Sequence, residues 1–244
     1  MSRLQPTVRQ MRLASGMVLL AYLSLHLLTH MAGLVSLATA EAGLRLSMRL
    51  WQSAPGTVAL YGALAVHLAL ALRTIAMRRH WQLPAVEWLR LWAGFSLPWL
   101  LIGHVVATRV AVAGYGFEPS YARVIAGLIA SGSQGWQLAL LAPGWVHGCL
   151  GLWLSLRHRQ AARRLRPLLL ALLLGVPVLA AAGFVQMSRT VAESAPIADG
   201  RAPGSLAALA QWRQALLGIY ALLVLGAIGA SRWRAAAGLV KTGE

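Results

Sequence analysis

The chain has 244 residues, of which 58% are hydrophobic and only 11% charged; a soluble domain is usually about 25% charged. Six apolar runs are long enough to cross a bilayer, where about 20 residues are needed, and they leave too few residues for a separate soluble domain. The expected fold is therefore all-α, a six-helix transmembrane bundle; barrel strands would alternate apolar and polar residues, and these runs do not.

The net charge of +16 suggests nucleic acid, but the positions of the charges argue otherwise. With the N-terminus assigned to the cytoplasm and six spans following, the cytoplasmic side holds Arg3, Arg9, Arg12, the group from Arg73 to Arg90, the cluster from Arg157 to Arg166, and Arg232, Arg234 and Lys241. That is 15 of the 22 basic residues, against 7 on the far side. Such a bias orients both termini to the cytoplasm, makes the lipid bilayer the expected partner with anionic head groups at the clusters, and leaves no nucleic acid to expect. The single cysteine, Cys149, excludes a disulfide framework, covalent c-type haem and a cysteine-ligated cluster within this chain; it reads as a small packed residue. The N-terminal apolar run is too long for a cleavable signal.

Residues 1–12 are basic and read as a short cytoplasmic lead. The first span, near 13–36, contains the small pair Ser15-Gly16, which permits close helix approach, and then Leu23-Ser24-Leu25-His26-Leu27-Leu28-Thr29-His30. His26 and His30 are four apart and share a helical face. An outer loop over 37–54 carries Trp51 at its membrane edge. The second span, 55–77, runs inward with Gly62 and His67, and Arg73 near the inner boundary snorkels to lipid phosphate or a buried anion. His80 falls in the cytoplasmic connection and reads as a surface residue.

The third span, 91–113, returns outward through Pro98, a candidate kink, to Leu101-Ile102-Gly103-His104-Val105-Val106-Ala107-Thr108-Arg109. An imidazole and a guanidinium inside hydrocarbon mark a functional hypothesis by default. After a loop from Tyr115 to Gly135, the fourth span, 135–156, runs inward with Trp145-Val146-His147-Gly148-Cys149 and Gly151. Gly148 and Gly151 suit either a flat ligand lying on the helix or ordinary small-residue packing. His158 falls in the basic cluster and reads as solvated. The fifth span, 167–187, has Pro177, Gly183 and Gln186 but no histidine. The loop 188–211, with Pro196, Asp199-Gly200 and Pro203-Gly204, reads as irregular. The sixth span, 212–231, lacks any ligand-type residue.

Each of the first four spans thus carries one histidine near mid-membrane. His26 and His104 lie in the outer halves of spans that run outward; His67 and His147 lie on the inner side of spans that run inward. In an up-down four-helix arrangement the first and third helices are diagonal partners, as are the second and fourth. The pattern offers two bis-imidazole sites stacked across the membrane, His26 with His104 and His67 with His147. Two imidazoles facing each other across a flat apolar ligand is the axial geometry of a b-type haem, and neutral imidazole is the ligating form. Zinc or copper would want more ligands crowded together, and a proton relay would want carboxylates in the spans. Two haem b groups are the expected cofactors. Arg109, on the far side against the charge bias, either pairs a propionate of the outer haem or snorkels to the interface. His30 is open between a contact behind the outer ligand, part of a quinone pocket, and a structural role.

His26-Leu27-Leu28, His104-Val105-x-x-Thr108-Arg109 and His147-x-x-x-Gly151-Leu152-Trp153 resemble the di-haem cytochrome b subunit of succinate:quinone oxidoreductases, whose four ligand histidines fall one on each of the first four helices; that subunit typically has five helices, and here there is a sixth. A resemblance covering nearly the whole chain is to the haem-b membrane anchor of certain bacterial class III adenylate cyclases. It is carried by Trp51-Gln52-Ser53-Ala54-Pro55-Gly56-Thr57, Leu60-Tyr61-Gly62, Ser120-Tyr121-Ala122-Arg123-Val124, Trp145-Val146-His147-Gly148-Cys149 and Arg164-Leu165-Arg166-Pro167-Leu168. This resemblance implies that residues 1–244 form a single transmembrane cytochrome b-like domain, a four-helix di-haem core plus two further spans, in a bacterial inner membrane. It also implies redox exchange with quinone, a homodimer, and a cyclase output domain after residue 244, with a 2Fe–2S ferredoxin-like domain often between. No cyclase metal carboxylates occur in this chain. The other expectation is the cytochrome b subunit of a membrane quinone oxidoreductase serving a separate flavoprotein.

Overall fold

The computed structural model describes residues 4–240 apart from 195, 198, 199, 201 and 203. Arg3, Asp199, Pro203 and Lys241, which enter the readings above, lie outside the described residues. Among those described there is no strand. The elements in order are α1 Leu4–Met31, ending in a 3-10 turn over Ala32–Leu34; α2 Leu37–Trp51; α3 Ala54–Ala76; α4 Ala85–Val105, which runs through a π-helical turn, Val106–Val110, into α5 Ala111–Tyr115; α6 Tyr121–Ala130; α7 Gln134–Leu156; α8 Gln160–Arg164; α9 Arg166–Glu193; and α10 Ser205–Val240.

Among the described residues six helices are long and apolar enough to cross a membrane: Thr7–Leu34, Ala54–Ala76, Ala85–Tyr115, Gln134–Leu156, Arg166–Glu193 and Ser205–Ala237. They make the chain a multi-pass membrane protein. Most run beyond the apolar stretches that mark them in the sequence, because a helix need not stop where hydrocarbon stops. α1 takes in residues expected as a lead, and α9 and α10 shorten the expected loop 188–211 from both sides.

The other difference is at the connections. Residues 37–54 and 115–135 read as loops, yet they fold into α2 and α6. Serine caps start both: Ser36 Oγ accepts from Thr39 N–H at 3.0 Å and Ser120 Oγ from Arg123 N–H at 3.2 Å, satisfying orphan donors of the first turn. Gly132, at φ 63°, closes α6 in the left-handed conformation that favours glycine. Each helix buries one face only: Tyr121 and Ile125 of α6 pack with Phe184, Met187 and Val191 of α9, and Ala40 of α2 joins the same cluster, α2 itself lying on α1, α3 and α6. On α2 the apolar face is diluted by Glu41, Arg45 and Arg49, while α6 is apolar but only 10 residues long, too short to read as a span. Together they cap one end of the bundle. The opposite end carries Arg12, Arg78, Arg90 and α8.

α1 packs against α3, α7 and α9, and α4 against α7. The fourth edge of the square, between α3 and α4, is occupied by α10, which lies against both. In hydrocarbon, burying an apolar face gains little, so close packing and hydrogen bonds between helices carry the association. The bonds are here: Tyr220 Oη donates to the Phe95 carbonyl at 2.8 Å, Ser231 Oγ to the Arg78 carbonyl at 2.6 Å, and Trp145 Nε1 to the Leu172 carbonyl at 3.1 Å. Leu168, Leu170, Leu174 and Val178 of α9 and Leu222, Leu223 and Leu225 of α10 stay exposed, as lipid-facing side chains should.

Candidate functional site

Four spans bring their histidines together in two layers. In the layer nearer the capped end, His26 of α1 lies beside His104 of α4, ring centroids 5.8 Å apart and planes at 66°. In the other, His67 of α3 lies beside His147 of α7, at 6.1 Å and 86°. These contacts join the histidines grouped by depth in the sequence. Ten residues of α1 separate the layers, since Gly16 lies against the His67 ring and His26 against His104. At 1.5 Å per residue this is about 15 Å along the helix.

Each layer takes two histidines from one diagonal and small or polar residues from the other. A Cβ on Gly16 would lie 3.2 Å from His67 Cε1, and one on Gly94 of α4 only 2.7 Å from His147 Cε1. The same ten-residue step therefore separates Gly16 from His26 and Gly94 from His104. Gly148 has a different neighbour: its Cβ would strike Leu20 at 2.8 Å, so it serves helix packing, while Gly151 faces open space.

The rings are oriented by bonds at one nitrogen. His104 Nδ1–H donates to Gln137 Oε1 at 2.8 Å, and His147 Nδ1–H to the Arg90 carbonyl at 3.0 Å. Ser15 Oγ donates its proton to the Arg12 carbonyl, leaving its oxygen to accept from His67 Nδ1–H at 3.2 Å. Tying Nδ1 in this way fixes the tautomer and leaves Nε2 with its lone pair, as behind most metal-bound histidines. Two metal–nitrogen bonds of about 2 Å, with a ring radius of roughly 1 Å beyond each, would set facing imidazole centroids roughly 6 Å apart. Both layers have that spacing. Among the described residues no group of three or more His, Cys, Asp or Glu is placed to hold a metal ion. A pair of imidazoles completes a metal site where a macrocycle supplies the remaining donors. Two imidazoles per layer, with the remaining donors left to a macrocycle, are the donor set a haem iron takes.

His30 differs from the other four-span histidines. Its ring meets His26 edge-on at 4.7 Å and Phe184 at 5.9 Å, and Tyr121 Oη lies 3.1 Å from its Nδ1. Burial, then the nearby Glu41 carboxylate, push the Tyr121 phenol's pKa up, so the phenol keeps its proton. The phenol can donate to or accept from Nδ1, so this bond leaves the His30 tautomer open, unlike the bonds at His67, His104 and His147. The α1 backbone is close here too, since a Cβ on Gly183 would collide with the His30 carbonyl.

Arg109 sits in the π-helical turn, a feature frequent at functional sites. Its Nη2 donates to Thr57 Oγ1 at 3.3 Å and its guanidinium lies 5.9 Å from the Tyr61 ring centre. It is thus turned toward α3. Next to it Tyr22 stacks on His26 at 5.9 Å and meets the Trp51 edge at 5.4 Å. Trp51 Nε1 is buried without a partner. Cys149 is partly buried beside the Leu27, Trp145 and Ala180 cluster, and His80 and His158 are exposed.

Sequence reading missed Gln137, Gly94, Tyr22 and the Tyr121–His30 bond. Gln137 was visible as an amide inside an apolar run, and Gly94 as a glycine ten residues before a histidine, repeating the step in α1. Tyr121 gave no signal, because tyrosines near membrane edges are common; Tyr22, one turn before His26 and near the middle of the first span, was visible as a phenol in an apolar run. No family model, characterised protein or solved structure matches this chain.

Proposed function

We propose that the chain is a di-haem b membrane module, His26 with His104 and His67 with His147 each supplying the axial imidazoles of one haem. One observation carries this reading: four spans each contribute one histidine, and the four meet in two pairs at roughly the spacing of coaxial ligands, three of them tied at Nδ1. A haem held in each layer would supply a one-electron couple. The chain's own residues hold the rings: Gln137, Ser15 and the Arg90 carbonyl orient them, and Gly16 and Gly94 admit them. Arg109 is a cation available to a propionate at the capped end, and Thr57 and Tyr61 aim it.

The regulatory part of the proposal follows the resemblance to adenylate cyclase anchors. Quinone exchanges electrons with the haem pair, and the redox state biases α10 and a cytoplasmic cyclase domain beyond residue 244, with both termini cytoplasmic and the protein a homodimer. At 36 residues, or about 54 Å, α10 exceeds a hydrocarbon core of about 30 Å, a length suited to carrying a displacement out of the membrane. Its packing against α3 and α4 places it between a helix from each histidine layer.

The experiment is a pyridine haemochrome assay with a reduced-minus-oxidised spectrum on the detergent-purified chain. Two low-spin b haems per chain are expected, His26→Ala removing one and His67→Ala the other. Protein grown with ample haem supply that carries none would sink the reading.

A further inference from the structure

The arginine-rich end of the bundle gathers hydrogen-bond donors without matching acceptors. Arg78 follows the end of α3, and its guanidinium lies 5.7 Å from the ring centre of Trp81. Arg78 Nε and Trp81 Nε1 are both buried with no hydrogen-bond partner. Two neighbouring buried donors left open are unusual, since most buried polar groups are paired. Trp81 in turn stacks on Trp88 at 6.2 Å and 27°.

Other cations reach the same corner. Arg12 of α1 donates from Nη1 to Thr74 Oγ1 near the end of α3 at 3.4 Å. Arg12 and Arg78 both act electrostatically on Arg90 of α4, where the opposing acid is Glu87. Arginines from α1, the end of α3 and α4 thus converge with one carboxylate among them. Ser231 of α10 donates to the Arg78 carbonyl, so the last span abuts the corner as well.

We propose that this corner binds a phosphate group, taken either from the head group of an anionic phospholipid or from a soluble phosphate compound. Guanidinium forks match phosphate oxygens geometrically, and a tryptophan–arginine pair at the edge of the apolar span lies at head-group depth. The chemistry is all donor. The open Arg78 and Trp81 N–H groups gain an acceptor, and the mutual repulsion of Arg12, Arg78 and Arg90 is relieved. The proposal does not rest on the haem reading. Because Arg12 and Arg90 also act on His67, a porphyrin carboxylate is the competing occupant.

The purified full chain is titrated with phosphatidylglycerol and phosphatidylcholine in detergent micelles, with and without inorganic phosphate. Lipid retention is followed by native mass spectrometry, and haem content is measured on the same samples. Variants are Arg78→Gln, Trp81→Phe (which keeps the ring and removes only the N–H), and Arg49→Gln at the other end as a charge control. The wild type and R49Q should prefer phosphatidylglycerol, and R78Q and W81F should weaken that preference about tenfold with haem content unchanged. Competition by inorganic phosphate would support the site and assign a soluble source; phosphatidylglycerol retention indifferent to phosphate would support it and assign the lipid. A phosphatidylglycerol preference equal in R78Q, W81F and wild type overturns the proposal. So does loss of haem in R78Q with lipid binding intact, which gives the corner to a porphyrin carboxylate.

Discussion

Glycines decide more in the histidine layers than their size suggests. At Gly94 an added methyl would meet the His147 ring at 2.7 Å, closer than atoms tolerate without displacement, whereas at Gly16 the contact with His67 would be 3.2 Å. Gly94→Ala should therefore push His147 off its bond to the Arg90 carbonyl, while Gly16→Ala asks a neighbour to give by tenths of an ångström. Under the di-haem proposal G94A loses most of one haem and G16A retains it, as absorbance per chain reports. Equal retention would show that the His147 ring has room to move. Arg109 makes a second residue-scale prediction. Under the same proposal a cation beside a haem favours its reduced form, so Arg109→Leu should lower one of two midpoint potentials in a redox titration and leave the other in place.

Among the elements, α10 tests how a span without ligand residues is held. Its bonds to the Phe95 and Arg78 carbonyls lie eleven residues apart on α10, one on α4 and one just past the end of α3. Interhelical hydrogen bonds in membranes contribute about 0.6–2 kcal/mol each, and distant sites add. Tyr220→Phe and Ser231→Ala should each lower the midpoint of thermal unfolding in detergent, with the double variant near the sum. The short helices show what was and was not legible. The six spans could be read because long apolar runs have no other stable form in a bilayer. α2 and α6 could not, because both are too short to span and the face that Ala40, Tyr121 and Ile125 bury is revealed only by tertiary contact. Likewise the pairing of the four histidines was within reach of helix direction and depth. The bonds that orient them, from Gln137, Ser15 and a backbone carbonyl, depend on rotation about helix axes that the pattern leaves free.

For the molecule as a whole, the two layers form one scaffold built twice. α1 and α4 each present a glycine to one layer and a histidine to the other, ten residues on. Layers about 15 Å apart share helices but no side chain, so each should fill or empty alone. Under the di-haem proposal His104→Ala removes one haem and leaves the spectrum of the second unchanged, and His147→Ala does the converse. Loss of both signals from either variant would mean that the bundle assembles only around two filled layers.

The π-helical turn at Val106–Val110 has a consequence of its own. A wide turn of this kind accommodates one residue more than an α-helix would at the same place, and it does so without rotating what lies on either side. α4 therefore holds a spare residue between His104 and Ala111. Removing one residue of the turn would let the segment rewind as plain α-helix, with His104 still facing His26 and Ala111 still packed on Phe117, Leu209 and Val106. What would change is the reach of Arg109 toward Thr57 and Tyr61. The guanidinium's position is thus adjustable by the length of the chain alone, independently of the imidazole one turn before it.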